Sequence, residues 1–481
     1  MTNDVPAAPG GSTFAASSGS DGAQTASPAT VTPPAAVLNL AIQVGDCLLS
    51  AGMSANDVVV AMLGVSDAYG LTRVHVDVTY TSISASYYPT RGTPPVTCIR
   101  VVQPDDIDYS KVREVARLEE KIRAGLPIDE ATRAFDRIPD APHRYPQWVA
   151  MIGNAGVSAG AAMLFTTSWK IILATFLTGL VVDRMLAAME HWRVPPFFQQ
   201  FAGAGLITLV AAGITEAAAQ GVRFFVGVDP TLVVVGGIIM LVAGMAIVGA
   251  AQDAIDQFYV TASARLLDVT MRTAGIVVGI VASLELASLL GAPLSISPNP
   301  VALGPLGAQL VGATLTSAFF ALWAYGDLAT IGLAGAMGLL GWAGYALMIY
   351  VGAHEVPANT VGAFAAALAS TLLIRRSTIP GFGLVSAALL PLVPGLALYN
   401  GLLQVVGTSP EIANPTAGGS TLLLALGVAL GIAAGATLGT YLGRPIADQL
   451  RRIPTRPNRL LRDRARLVST SRSVSNRRRH G

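Results

Sequence analysis

The feature that most constrains the fold is a nearly continuous apolar stretch that runs from residue 148 to residue 443 with short polar breaks. Charged residues make up 12% of the chain and its mean hydropathy is +0.56, whereas soluble proteins carry about 25% charge. A helix needs roughly 20 apolar residues to cross a bilayer. The stretch therefore predicts a polytopic α-helical membrane protein.

Ten segments of this stretch are candidate spans. They run approximately over 148–167, 170–189, 200–219, 231–251, 272–291, 305–325, 328–351, 356–374, 382–404 and 420–442. The second is the weakest, because Asp183 and Arg184 interrupt it. If the N-terminus is cytoplasmic, most of the Lys and Arg residues between the spans lie in cytoplasmic loops. Lys170 and Arg223 alone lie on the other side of the membrane. This distribution agrees with the positive-inside rule and predicts two cytoplasmic termini.

Residues 1–147 contain no apolar run long enough to span. Residues 1–34 are mostly Ala, Ser, Thr, Pro and Gly, a composition typical of a disordered leader. Residues 35–147 predict a small α/β domain, with helices at 35–50 and 54–68, strands at 74–80, 83–87 and 95–102, and charged helices at 109–124 and 128–138. The alternation of apolar residues changes parity near Thr81 and Ser82, which requires a turn or bulge there.

The predicted α/β domain is expected to be cytoplasmic. No Lys or Arg precedes Arg73, so the start of the chain lacks the basic and apolar regions of a secretory signal. Cys47 and Cys98 are too few for a disulfide framework, and we interpret both as reduced core residues.

The C-terminal segment 444–481 is strongly basic. It carries twelve Arg against Asp448 and Asp463, a net charge of +10. A polybasic segment after a last span favours the cytoplasmic face and contact with anionic lipids. We prefer this interpretation to nucleic-acid binding.

An internal repeat relates the two halves of the apolar stretch. Residues 241–246 (LVAGMA) and 392–397 (LVPGLA) are identical at four of six positions, at an offset of 151 residues. The same offset relates the starts of several other spans. Two repeats of five spans, 148–291 and 305–443, would enter the membrane in opposite senses, as in secondary transporters. A duplicated structural bundle without transport is the alternative.

Polar residues at the ends of the two matching spans are the candidate substrate pathway. They are Gln252, Asp253, Ser263, Arg265, Pro394, Gly395 and Asn400. An amino acid needs acceptors for its ammonium and donors for its carboxylate, and a proline within a span frees backbone carbonyls. The alternative is that Asp253, Asp256 and Arg265 merely mark a cytoplasmic loop.

Two further features of the spans have a functional and a structural interpretation. Glu216 and Glu285 stand in apolar runs and are candidate proton carriers, since an ionisable group in a span is costly, although snorkelling to the interface also explains them. The glycines that recur every four residues from Gly427 to Gly443 let helices approach closely. Packing within one subunit is favoured there over a homo-oligomer contact.

An enzymatic alternative rests on the α/β domain. The candidate hydrolase groups are His75 and Asp77 on the polar face of a strand, with Asp46 and Asp57 on the preceding helices. A solvated sheet face also explains them. The GxSxG-like segment 156–160 lies in an apolar span and is interpreted as helix packing. The sequence contains no GxxxxGK[ST] loop, which argues against an ATP-driven pump.

The chain resembles the threonine/serine exporters over roughly residues 38–443. The resemblance is carried by Gly45-Asp46 with Leu48-Leu49-Ser50, by Ala68-Tyr69-Gly70-Leu71 leading to His75-Val76-Asp77, by Gln252-Asp253 with Val260-Thr261-Ala262-Ser263-Ala264-Arg265, and by Leu392-Val393-Pro394-Gly395-Leu396-Ala397-Leu398-Tyr399.

The resemblance implies a cytoplasmic N-terminal domain, ten spans, and efflux of threonine and serine driven by the proton motive force of a bacterial inner membrane. No cofactor or metal is expected. The alternatives that remain are a membrane-anchored hydrolase and a purely structural membrane scaffold.

Overall fold

The computed structural model describes residues 33–90, 92–102, 108–139, 141–241, 244–292, 302–374, 381–406 and 414–452. The predicted leader, apart from its last two residues, and most of the basic tail lie outside these ranges. The chain forms a small α/β unit followed by a large helical bundle.

The N-terminal unit contains the predicted elements in the predicted order. They are α1 (Pro34–Ser50), α2 (Ala55–Ala68), β1 (Val74–Val78), β2 (Ser82–Tyr87), β3 (Val96–Val101), α3 (Tyr109–Arg123) and α4 (Ile128–Phe135). Ser54 caps α2, since its side chain accepts a hydrogen bond from the Asp57 amide. The three strands form an antiparallel sheet in the order β1-β2-β3.

A tight turn explains the parity change between the first two strands. The Thr79 amide donates to the Ser82 carbonyl at 2.8 Å, and the Ser82 amide donates to the Thr79 hydroxyl at 3.2 Å. The turn pairs Val78 with Ile83, so that both side chains enter the core of the unit. Cys47 and Cys98 are half-buried and pack against this core, which confirms their predicted role.

The bundle follows from Gln147 onwards. Its helices are α5 (Gln147–Met163), α6 (Trp169–His191), α7 (Pro196–Ala219), α8 (Pro230–Leu241), α9 (Gly244–Ile255), α10 (Tyr259–Leu289), α11 (Leu306–Trp323), α12 (Leu328–Tyr350), α13 (Glu355–Ile374), α14 (Gly381–Leu389), α15 (Gly395–Val406) and α16 (Pro415–Arg452). One hydrophobic core centres on α11 to α14 with α16, and another on α7, α8, α10 and α15.

Two predicted spans are bent rather than straight. The axes of α8 and α9 differ by 45°, and a 49° bend separates α14 and its 3₁₀ extension, Leu390–Leu392, from α15. Gly395 follows the second bend, next to Pro394, which cannot donate a backbone hydrogen bond. The bends occur at the matching LVAG and LVPG motifs.

Among the described helices, seven are long and apolar enough to cross a membrane, and the two bent pairs raise the number to as many as nine. The predicted first span corresponds to α5, whose 17 residues are fewer than the roughly 20 that a crossing needs. The weak second candidate forms the continuous 23-residue helix α6 despite Asp183 and Arg184. The chain is therefore a polytopic helical membrane protein.

The glycine stripe of α16 packs against α13 inside the chain, as predicted. A Cβ on Gly439 would lie 2.7 Å from the Phe364 carbonyl oxygen of α13, and a Cβ on Gly435 would collide with the Thr360 carbonyl. The same arrangement joins α10 to α7, where Gly275 and Gly279 face the carbonyls of Phe197 and Phe201. At these positions there is no room for a side chain larger than the hydrogen atom of glycine.

Gly439→Ala should destabilise the bundle, since the added methyl group meets backbone atoms that cannot move aside. Overpacking of this kind costs about 1–3 kcal/mol. Thermal unfolding of the purified chain in detergent measures the effect as a lower Tm. Gly419→Ala is the matched control on the same helix, because a Cβ there meets nothing within 4 Å. Equal Tm values for the two variants would contradict the close-packing role.

Candidate functional site

A cavity of about 550 Å³ lies between the N-terminal unit and the bundle, and it is the candidate site. The roof of the cavity is the α1–α2 turn with the adjoining helix ends, residues 49–57. Its walls are formed by α9 and by parts of α10, α11, α13, α14 and α16. This volume is typical of small-molecule sites.

A buried ion pair of the bundle holds the roof in place. Asp253 lies near the C-terminal end of α9 and is 0% exposed. Arg265 of α10 is 5% exposed. The Nε atom of Arg265 lies 3.2 Å from Oδ2 of Asp253. Asp253 Oδ1 accepts a hydrogen bond from the Ala55 amide at 2.9 Å, and Arg265 Nη2 donates to the Met53 carbonyl at 2.7 Å. We call this arrangement the Asp253–Arg265 clamp.

The clamp binds both a backbone N–H group and a backbone carbonyl group of the α1–α2 turn. Ala55 is the first residue of α2, so the Asp253 carboxylate meets the positive end of the helix dipole. The guanidinium of Arg265 also lies over the Tyr80 ring, 5.9 Å from its centroid. Gly249 makes room for it, since a Cβ there would lie 2.7 Å from Arg265 Nη1.

The N-terminal part of α10 adds further contacts to the N-terminal unit. The Thr261 hydroxyl donates to the Val78 carbonyl at 3.0 Å, and the Tyr80 hydroxyl donates to Asp268 at 3.1 Å. Arg272 pairs with the same carboxylate at 2.9 Å. Burial raises the pKa of the Tyr80 phenol, and the Asp268 carboxylate raises it further. The phenol therefore stays protonated and serves as the donor.

The second attachment joins α3 to the turn between α11 and α12. The Tyr109 amide donates to the Ala324 carbonyl at 2.9 Å, and the Tyr109 ring is buried against the bundle. Arg113 pairs with Asp327 at 2.8 Å. Burial works against ionisation of Asp327, but hydrogen bonds from Thr330 and Arg113 outweigh it and lower its pKa. The N-terminal unit is thus fixed at both sides of the cavity.

Three charged side chains lie on the cavity wall beside the clamp. Arg444 of α16 lies 3.9 Å from Asp57 of α2, and Asp256 follows α9. Burial raises the pKa of Asp256, and the Asp57 carboxylate raises it further, whereas Asn56 and Arg444 act in the opposite direction. Two carboxylates and one guanidinium leave this part of the wall with a surplus of negative charge, which suits an ammonium group.

The structure brings together three of the seven predicted pathway residues. Gln252 and Arg265 line the cavity, and Asp253 supports it through the clamp. Of the three residues in the loop alternative, Asp253 and Arg265 are buried within helices, whereas Asp256 lies in the connection between α9 and α10.

The other four pathway residues do not line this cavity. Ser263 is exposed, because it lies on the opposite side of α10 from Arg265. Its hydroxyl donates to the Val260 carbonyl. Pro394 and Gly395 form the bend of the second broken span, and the half-buried Asn400 lies beyond it in α15.

The remaining candidates lie outside the cavity. Glu216 is half-buried and accepts a hydrogen bond from Gln220, and Glu285 is exposed. His75 and Asp77 are exposed on the outer face of β1, and neither lines the cavity. Asp46 pairs with Arg100 at 2.7 Å. Within the described ranges, no group of three or more His, Cys, Asp or Glu side chains could hold a metal ion.

Three polar residues with a role in the structure are not among the predicted pathway residues. Arg444 belongs to the predicted basic tail, but α16 continues through it and carries it to the cavity. Asp57 was grouped with the hydrolase candidates. Asp183, which looked like a defect in the second span, accepts a hydrogen bond from Asn154 of α5 at 2.8 Å and is largely shielded from solvent. An acid inside an apolar run was the available signal.

Comparison with known proteins gives a consistent result. A family model of threonine/serine exporters matches residues 39–287, and a second model of threonine/serine exporters matches residues 309–441. A protein of Mycobacterium tuberculosis named "Probable threonine/serine exporter" is 35% identical over 405 residues, which are 81% of this chain and 72% of the relative. The "Threonine/serine exporter" of Corynebacterium glutamicum is 33% identical over 373 residues, 76% of this chain and 75% of the relative. No solved structure gives a significant match.

Asp253→Asn should loosen the contact between the N-terminal unit and the bundle. The amide can still accept from Ala55, but Arg265 is left buried without its counter-charge, which costs about 3–5 kcal/mol. Hydrogen–deuterium exchange of peptides covering residues 53–60 should become at least about tenfold faster. Asp129→Asn, an exposed carboxylate at the start of α4, is the control. Unchanged exchange in Asp253→Asn would show that the clamp does not hold the roof.

Proposed function

The chain belongs to the threonine/serine exporter family, and from this premise we propose that it exports threonine and serine across a bacterial inner membrane. The cavity beneath the N-terminal unit carries the proposal. It is wide enough for a single amino acid with water, and its wall mixes charged groups with hydroxyls and apolar side chains. The N-terminal unit and both termini are cytoplasmic in this proposal, so the cavity is the inward-facing entrance.

The charges of the wall suit a zwitterionic substrate. Asp57 and Asp256 are acceptors for the ammonium group, and Arg444 is a donor for the carboxylate. Gln252 offers an amide to either group. A secondary transporter, which does not use ATP, binds its substrate between helix ends. Its site therefore needs both hydrogen-bond donors and acceptors.

The membrane architecture in this proposal has ten spans in two inverted repeats, 148–291 and 305–443, with α5 as the first span in addition to the nine longer candidates. Three observations support the repeats. Both matching spans are bent by a similar angle, the glycine contacts of α10 on α7 recur in α16 on α13, and the two family models divide the chain between the repeats. Relative motion of the repeats would alternately open the cavity to the two sides.

The proton motive force drives export in this proposal, and three acids are candidates to carry the proton. Glu216 and Glu285 lie near the outer ends of their spans, where their exposure also agrees with snorkelling. Asp183 is better shielded, lies well inside α6, and contacts a second helix through Asn154. The basic tail would contact anionic lipids on the cytoplasmic side.

The family is one of transporters, so the chain is a transporter and not an enzyme. The positions of His75 and Asp77 give the hydrolase alternative no support either. They lie on an exposed sheet face, and the cavity is formed by other residues.

Threonine efflux from cells that lack the relevant exporter and are preloaded with a threonine-containing dipeptide tests the proposal. The wild-type chain should export threonine, and collapse of the proton gradient should stop the export. Asp256→Asn should lower efflux roughly tenfold, because a charge-assisted hydrogen bond contributes about 1.5–3 kcal/mol.

Asp77→Asn is the matched control, since it removes an exposed carboxylate of the N-terminal unit. Expression and membrane insertion must be equal in all strains. Wild-type efflux no faster than that of cells without the protein would overturn the exporter proposal, and a loss of efflux in Asp77→Asn alone would move the function to the sheet face.

A further inference from the structure

Three threonines stand on the cavity wall formed by α13 and α16. They are Thr371, Thr437 and Thr440. The Thr371 hydroxyl donates to the Ala367 carbonyl at 2.8 Å, and the Thr440 hydroxyl donates to the Ala436 carbonyl at 3.1 Å. Threonines inside helices often satisfy their hydroxyls in this way, with the carbonyl four residues earlier. These two hydroxyls therefore need no ligand.

Thr437 differs from its two neighbours. Its hydroxyl is buried and has no hydrogen-bond partner among the described residues. A buried hydroxyl without a partner is costly, and such groups in folded proteins usually mark a water or ligand position. Thr437 lies on the wall of the cavity, so a ligand in the cavity can supply the missing partner after a rotation about χ1.

The surroundings of Thr437 suit the side chain of a small hydroxy amino acid. Ala436, Leu389 and Phe320 provide apolar surface on the same cavity. Arg444 follows Thr437 on α16 by seven residues, which is two helical turns, so both lie on one helix face. The Arg444 guanidinium lies 3.9 Å from Asp57 and lines the same cavity as Thr437.

We propose that Thr437 recognises the side-chain hydroxyl of a β-hydroxy α-amino acid and thereby distinguishes threonine from valine. The two substrates have nearly the same shape, so an apolar pocket alone separates them poorly. A protein hydroxyl that is satisfied only by the substrate hydroxyl is left unpaired when valine binds, which makes valine the weaker substrate. This inference rests on the proposed exporter function.

Transport by the purified full-length chain in liposomes tests the inference, with radiolabelled threonine and valine measured separately. The wild-type chain should prefer threonine. Thr437→Val should lower the threonine-to-valine rate ratio roughly tenfold or more, and Thr437→Ser should restore it, because the serine keeps the hydroxyl. Thr440→Val is the matched control and should leave the ratio within about twofold, since its hydroxyl is already satisfied.

Each result has a distinct meaning. Threonine transport by the wild type with an unchanged ratio in Thr437→Val overturns the role of Thr437 and leaves the exporter function standing. An equal loss for both substrates in Thr437→Val, or a failure of Thr437→Ser to restore the ratio, also overturns it. No threonine transport by the wild type overturns the proposed function and this inference with it.

Discussion

The cavity depends on one interaction, the ion pair between Asp253 and Arg265. The two side chains pair with each other, and each also forms a hydrogen bond with the backbone of the α1–α2 turn, Asp253 with Ala55 and Arg265 with Met53. Removing water from two charges is expensive, and the pair is tolerable here because each charge also makes a hydrogen bond to the turn. The same contacts give the N-terminal unit a fixed position over the bundle, and the space left beneath the turn is the cavity.

The bundle supplies the walls of that space through two bent spans. α9 and α14 both contribute residues to the cavity, and each follows or precedes a bend at one of the two matching motifs. Broken helices of this kind place helix ends and free backbone groups inside a membrane protein, where substrates can reach them. The glycine contacts between α7 and α10 and between α13 and α16 give each half a closely packed helix pair. A rigid pair in each half is suited to moving as a unit.

Much of the fold could be predicted from local pattern, because periodicity and caps act over a few residues. The order of α1 to α4 and the strands, the turn at Thr79–Ser82 and the apolar segments all followed from it. The site was harder to predict. Ser263 and Arg265 are neighbours in one motif, yet two residues along a helix turn the side chain by about 200°, so only Arg265 faces the cavity. The roles of Ala55 and Arg444 depend on contacts about two hundred and more residues away in sequence, which no local pattern records.

The most direct test of the central claim is the accessibility of the cavity to substrate. A single cysteine at Ser386, on the cavity wall, can be introduced after Cys47 and Cys98 are replaced by serine, and its reaction with a small methanethiosulfonate reagent can be timed. If substrate occupies the cavity, saturating threonine should slow the labelling of Ser386→Cys several-fold. A labelling rate that threonine leaves unchanged, in a variant that still exports threonine, would show that the substrate takes another path.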